Sequence, residues 1–244
     1  MRFFVGLHNV KDAQHFDAVF LSVNRLRTRK APFAVGDWIM DSGAFTEIST
    51  HGYYRHSPKQ YADQIHRWGG NGNLLAAVSQ DFMCEPFILA KTGLTVAEHQ
   101  KRTIDRYVAL TRSCTGVEIM PVLQGYHPDD YAAHIEQYGA LLTCGKWVGV
   151  GSVCKRNSNP RAIEDVLLAI NGARSDLKLH GFGLKITSLS SGRVVQLLHS
   201  ADSMAWSFHA RMHGRNGNDW REAETFCQKI ETRPIQWPLA LEVA

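Results

Sequence analysis

Short runs of aliphatic, β-branched and aromatic residues alternate along this chain with longer stretches whose apolar positions recur at helical spacing. The runs predict eight strands, near Phe3–Leu7, Ala18–Val23, Trp38–Asp41, Leu74–Asp81, Glu118–Gln124, Trp147–Gly151, Leu179–Gly183 and Ala201–Met204. Between them, Pro58–Trp68 places Tyr61, Ile65 and Trp68 on one helical face. Thr95–Thr111 opens on a Thr95-x-x-Glu98 capping box and aligns Ile104, Val108 and Thr111. The same reasoning predicts helices over Pro128–Leu142, Pro160–Ala173, Gly192–His199 and Asp219–Ile230. Strands alternating with helices indicate a parallel sheet with crossover connections. Eight strands in 244 residues favour an α/β protein built as one closed (β/α)8 TIM barrel over an open doubly wound sheet, with a single domain spanning 1–244 and no zinc subdomain.

Composition adds little to this picture but removes several alternatives. Hydrophobic residues at 44% and charged residues at 20% supply both a large core and a soluble surface. The longest apolar runs, such as Val117–Leu123, are too short for a bilayer span, and Met1-Arg2-Phe3-Phe4 lacks a signal-peptide layout. No membrane association and a cytoplasmic setting are expected. The five cysteines are odd in number, scattered and free of any CxxC, which argues against a disulfide framework and a structural zinc site. A net charge of +4 says little about partners, but its placement says more. Arg25, Arg27, Arg29 and Lys30 cluster, Lys155-Arg156 follow a Gly-rich turn, and Arg211 and Arg215 flank His213. These are candidate phosphate contacts or, equally, solvated loops.

In such a barrel the active site lies at the C-terminal ends of the strands. Strand three ends in Asp41-Ser42-Gly43-Ala44-Phe45, strand four in Ser79-Gln80-Asp81-Phe82 and strand five in Val122-Leu123-Gln124-Gly125. Strand six ends in Gly149-Val150-Gly151-Ser152, strand seven in His180-Gly181-Phe182-Gly183-Leu184-Lys185, and strand eight carries Asp202-Ser203. Singly, each has a structural explanation: Asp-Ser-Gly and Gln-Gly as turns, Gly-x-Gly as a tight bend, Asp202 as an N-cap, His180 as a core histidine. Jointly, they bring three carboxylates and an amide to one rim. Two carboxylates suit displacement at a sugar C1′, one as nucleophile and the other as proton shuttle. A third carboxylate beside an amide suits a guanine-like edge. The residues alone indicate a barrel glycosidase or glycosyltransferase.

In that order the motifs resemble the tRNA-guanine transglycosylase superfamily. The resemblance implies that Asp41 handles protons, Phe45 stacks on the base, Asp81 recognises guanine, and Gln124-Gly125 contact the base carbonyl. It further implies that Gly149-Val150 closes over the base and that the His180-Gly181-Phe182-Gly183 turn puts His180 on the opposite base face. The run Asp202-Ser203-Met204-Ala205-Trp206-Ser207-Phe208-His209-Ala210-Arg211 is similar to that of the archaeal branch, whose leading Asp is the nucleophile, a role that falls to Asp202. The chain lacks the Cys-x-Cys-x-x-Cys…His zinc run of queuine-type enzymes, and it ends soon after the barrel. In this it resembles the DpdA group, which exchanges guanine in DNA for a 7-deazaguanine such as preQ0. The expected partners are therefore DNA (tRNA as the alternative), a 7-deazaguanine base, and accessory modification proteins, with no metal or redox cofactor. Arg25, Arg27, Arg29, Lys30, Lys155, Arg156 and Arg211 are the expected phosphate contacts. A base-excising N-glycosidase and a non-catalytic barrel that binds nucleic acid or a purine-like ligand are the rival readings.

Overall fold

The computed structural model describes residues 1–114 and 116–237, and its sheet follows from the alternation of the strands. Side chains of Phe4, Ile39, Ala76, Val78, Met120 and Val122 form an inner cluster. Their neighbours Val5, Trp38, Met40, Ala77 and Leu123 face outward into a second core shared with the helices. The strands are β1 Arg2–Gly6, β2 Ala18–Ser22, β3 Asp37–Asp41, β4 Asn73–Val78, β5 Ile119–Met120, β6 Val122–Leu123, β7 Trp147–Val150, β8 Lys178–Gly181 and β9 Ser200–Ser203. All pairings are parallel, in the order β5-β4-β3-β2-β1-β9-β8-β7-β6.

β5 and β6 are two halves of one stave, divided at Pro121, which has no N–H to donate. The carbonyls of Glu118 and Met120 accept from Ala77 and Ser79 on one side, while those of Pro121 and Leu123 accept from Gly149 and Gly151 on the other. The order thus begins and ends on one stave and the ring closes, as expected for a TIM barrel.

The helices are α1 Ala44–His51, α2 Pro58–Trp68, α3 Pro86–Thr92, α4 Val96–Ser113, α5 Pro128–Tyr138, α6 Pro160–Ala173, α7 Ile186–Leu189, α8 Gly192–Leu197, α9 Ala205–Met212 and α10 Trp220–Thr232. Capping boxes at Ser57 and Thr95 start α2 and α4, and Asp219 caps α10. The patterned helices fall where expected within a few residues. Four short ones (α1, α3, α7, α9) escape periodicity because each spans about two turns or less. Conversely, the first two connections carry only 3-10 turns, Val10–His15 and Val23–Arg25, in place of helices. No helix among the described residues is long and apolar enough to cross a membrane.

Four buried tyrosines, three from α2 and α5 and one from the loop between α1 and α2, bond carbonyls of the staves and of the loops that follow them. The Tyr61 hydroxyl reaches the carbonyls of Met40 (3.3 Å) and Val78 (3.0 Å), joining the ends of β3 and β4. Tyr54 donates to Asp81 O (2.9 Å), Tyr131 to Gly151 O (2.8 Å) and Tyr138 to Val122 O (3.1 Å). These hydroxyls supply donors to main-chain carbonyls at and near the rim, so it is held by bonds as well as packing.

Candidate active site

Asp41 ends β3, and Gly43, in the left-handed region at φ 78°, turns the chain so that its N–H donates to Asp41 Oδ2 at 3.1 Å. A side chain at Gly43 would also meet Asn24 Nδ2 at 2.4 Å. Asp81 lies just beyond β4, where the chain leaves the strand, and Phe82 N–H is anchored on Thr103 Oγ1 at 2.9 Å. Gln124 follows β6. Its N–H donates to Nδ1 of His134, which burial drives down to a pKa of about 4 and so keeps neutral. Its side-chain Nε2 donates to Asp81 Oδ2. Gly151 makes room for this, since an added Cβ would lie 2.2 Å from Gln124 Nε2.

Asp202 sits in β9. Oδ1 accepts from Gly183 N–H at 3.1 Å and lies 3.3 Å from His180 Nε2. The other histidine nitrogen is 2.9 Å from Ser200 Oγ, which itself accepts from Trp147 Nε1 at 2.9 Å. The Asp202 carboxylate can only accept, so a hydrogen bond at this contact is donated from His180 Nε2. The Trp147–Ser200–His180 chain therefore holds the carboxylate from below.

These groups line a cavity of about 180 Å³ in the barrel mouth, walled by Phe20 and Phe182, with Phe45 at the rim. Its floor and walls converge on the carboxylates, and its mouth opens past Phe45. Burial, reinforced by Asp202, raises Asp41 from 3.8 to about 6 against the opposing bonds from Ser22, Gly43 and Ser42. Burial and then the Asp41 charge raise Asp81 to about 7. Asp41 and Asp81 thus exchange protons near neutrality, while Asp202 accepts from the Gly183 N–H. A larger groove, about 370 Å³, runs past Phe208 and Met212 between α9 and α10, but the converging carboxylates lie elsewhere. Among the described residues no His, Cys, Asp or Glu cluster has metal-holding geometry.

The structure brings Asp41, Asp81, Gln124, Asp202 and Phe45 to one cavity. Phe45 is 47% exposed, with Lys155 Nζ 4.8 Å above its ring. Other expected contacts lie elsewhere. His180 is wholly buried and stacked on Phe20, so it offers no face to a base; Phe182 lines the cavity instead. Gly149 lies beneath Phe182, and the Val150 side chain joins the outer core, which leaves Gly151 and Ser152 at the cavity. Gly125 and Gly181 are close-packing positions, against Asp130 and Leu184 respectively. Ser152, the last residue of the strand-six run, also lines the cavity, as do Phe20 and Glu85, which no motif marked.

The basic residues also divide. Arg25 and Arg211 meet at the rim around His8 and Ser207: Arg25 Nη2 is 3.2 Å from His8 Nδ1, His8 Nε2 is 2.7 Å from Ser207 Oγ, and Arg211 Nη1 donates to that oxygen at 2.7 Å. Burial, with help from both arginines, lowers the His8 pKa. Lys155 is exposed beside Phe45. Arg27 is half-buried and bonded to Asn24, and Arg156 is tied to the carbonyls of Ser152 and Tyr126. Arg29 staples its own loop through Ala31 O and Pro32 O, and its carbonyl receives Arg67 from the C-terminal end of α2. That places Arg29, and Lys30 after it, toward the opposite end of the barrel.

A family model described as DeoxyPurine in DNA protein A, DpdA, matches residues 3–233. The chain belongs to the DpdA family. The transglycosylase class and the DNA substrate implied by the resemblance follow from this membership. No curated protein matches the chain. Within the DpdA match lie all the acids of the cavity, from Asp41 on β3 to Asp202 on β9.

Proposed function

We propose that this DpdA-family barrel replaces guanine in DNA with a 7-deazaguanine, of which the 7-cyano base preQ0 is the simplest candidate, through a covalent Asp202–glycosyl intermediate. The observation that carries this reading is the pairing, in one base-sized cavity, of a fixed carboxylate with acids poised near neutrality. Asp202, its Oδ1 engaged by Gly183 N–H and His180, attacks C1′ with its remaining oxygen. The C1′–N9 bond breaks, its electrons go to guanine, and protonated Asp41 supplies the proton. The entering base returns a proton to Asp41 and attacks C1′, releasing Asp202. Two displacements retain configuration, and the proton count balances over the cycle.

Asp81 and Gln124 read the base edge, the carboxylate accepting from ring N–H and amine and the amide donating to the carbonyl. The reading face is Phe182 with Phe45 at the mouth. Because the acids sit inside the barrel mouth, the target nucleotide must leave its stack to reach them. Arg25, Arg211 and Lys155 are the cations placed to hold flanking phosphates.

The test is incorporation of radiolabelled guanine into duplex DNA, single-stranded DNA and bulk tRNA by wild type and Asp202→Asn. Label should enter DNA and be lost in the variant. Exchange retained in Asp202→Asn overturns the nucleophile assignment, and release of free guanine without incorporation identifies a hydrolase.

A further inference from the structure

Base exchange inside the barrel mouth leaves a gap in the DNA. When the target guanine enters the cavity, its neighbours in the duplex lose a stacking partner, and that loss opposes extrusion. An apolar side chain that enters the stack lowers the cost, provided it is exposed, held in place and close to the pocket that takes the base.

One ring at the mouth meets these conditions. Phe87, near the start of α3, is 50% exposed. Pro86 opens α3 with a fixed φ, and Glu85 before it lines the cavity, so Phe87 follows the pocket wall by two residues and stands outside it. Phe45, near the start of α1, is also half exposed, but its ring lines the cavity and so belongs to the path of the base. Lys155 joins the two. It lies in the 3-10 turn Cys154–Arg156 after β7, with its ammonium 4.8 Å from the centre of the Phe45 ring and 5.9 Å from that of Phe87. The connections that follow β3, β4 and β7 thus meet in a Phe–Lys–Phe lip.

The lip is built to stay open to solvent. Beneath it, Ile48, Phe82, Met83 and Ile88 form a buried apolar cluster, and the two exposed rings project beyond it. The ammonium attracts both ring faces and holds them there. A cation beside exposed aromatic faces complements a polyanion that itself carries flat apolar faces. DNA is such a partner, with phosphate for Lys155 and base faces for Phe87, and the lip is continuous with the cavity that takes its base.

We propose that Phe87 is a wedge: as guanine passes Phe45 into the cavity, the Phe87 ring fills the gap left in the duplex, and Lys155 holds an adjoining phosphate. This rests on the base-exchange reading above and extends it from the base to the duplex around it. Phe87 touches no reacting atom; it acts on the opening of the duplex. A single strand has no paired stack to open and does not need the wedge.

Radiolabelled guanine incorporation by wild type and Phe87→Ala, into a paired duplex and into the single strand of the same sequence, tests this directly. On the duplex the variant should lose roughly 10- to 100-fold in kcat/KM, as one base–aromatic stack provides. On the single strand it should lose little, and that exchange also reports that the variant is folded. Unchanged exchange on the duplex overturns the proposal, as does an equal loss on duplex and single strand. So does a wild type that exchanges single strands but not the paired duplex. No incorporation by wild type into either DNA defeats the base-exchange reading, and the wedge falls with it.

Discussion

Replacing Asp81 with Asn should make the protein more stable at alkaline pH and a poorer enzyme. Asp81 is 6% exposed, and its carboxyl is raised from 3.8 to about 7 by burial and by the neighbouring Asp41 charge. The native state thus holds the Asp81 proton more tightly than the unfolded chain does. Stability is full below the unfolded value, falls as pH rises from about 4 to about 7, and is flat beyond. At about 1.36 kcal/mol per tenfold in proton affinity, keeping Asp81 ionised in the fold costs at most about 4 kcal/mol above pH 7. Asn retains an acceptor for Gln124 Nε2 but loses the charge assistance of that bond, about 1 kcal/mol. The net gain for Asp81→Asn is therefore about 2–3 kcal/mol at pH 8, shrinking toward zero at pH 4.

Urea unfolding of wild type and variant at pH 4 and pH 8 measures this difference directly, with matched m-values as the check that only stability changed. Guanine incorporation in the same variant should fall by about two orders of magnitude or more, because the ring N–H and amine lose their charged acceptor. A variant less stable than wild type at pH 8, or a gain independent of pH, would refute the argument that the cost of burying an ionised Asp81, with a lesser part from Asp41, is stored at this site.

Two further substitutions probe the support and the rim. His180→Phe keeps an aromatic within the Phe4, Phe20, Trp147 and Phe182 cage but removes the donor beneath Asp202; kcat should drop roughly 10- to 100-fold with KM for DNA nearly constant, and an unchanged kcat would show that Gly183 N–H alone positions the nucleophile. Arg25→Ala and Arg211→Ala should each weaken DNA binding and flatten the dependence of log K on log salt by about 0.9 for every duplex phosphate no longer neutralised, while Arg29→Ala, away from the rim, should leave that slope alone; equal slopes for all three would remove the rim arginines from the interface.

The barrel was legible because each stave is buried on both faces and reads as a near-continuous apolar run. Pro121 carried the signal for the divided stave, since a proline inside such a run cannot donate to the ladder. Asp41, Asp81, Gln124 and Asp202 were legible because each follows or ends a strand within a compact motif. What misled for His180 and Gly149 was depth. Gly149 pairs with His180, and His180 with Ser200, so the three form one inward layer. Asp202 lies two residues farther along β9, one layer nearer the mouth, and Gly151 stands in the same relation to Gly149. Strand alternation alone therefore assigns His180 and Ser200 to the floor beneath the nucleophile, and Gly151 to the cavity. Once register is known, a motif's aromatic or imidazole ring can be sorted into wall or support.

No comparable pattern reaches Glu85 and Ser152. They are 67 positions apart, and what joins them is a left-handed backbone at Ser152 and a forgone cap at the start of α3. Each departs from a local rule: a residue with a Cβ where glycine is easier, and an N-cap side chain that leaves its helix uncapped. Departures of this kind are stable only when the surroundings over-determine them, and here the surroundings are specific. The Tyr131 hydroxyl fixes Gly151 O, the Cys84 N–H fixes the Ser152 oxygen, and the Gln124 amide occupies the space a side chain at Gly151 would fill. The wall that reads a base is thus pinned from three elements before any base arrives, so binding spends little on ordering it. The unsatisfied Glu85 oxygen and the raised Asp41 and Asp81 are then the same kind of feature. Each is a local instability held at the cavity, the kind of strain that a rigid surrounding shell has to support.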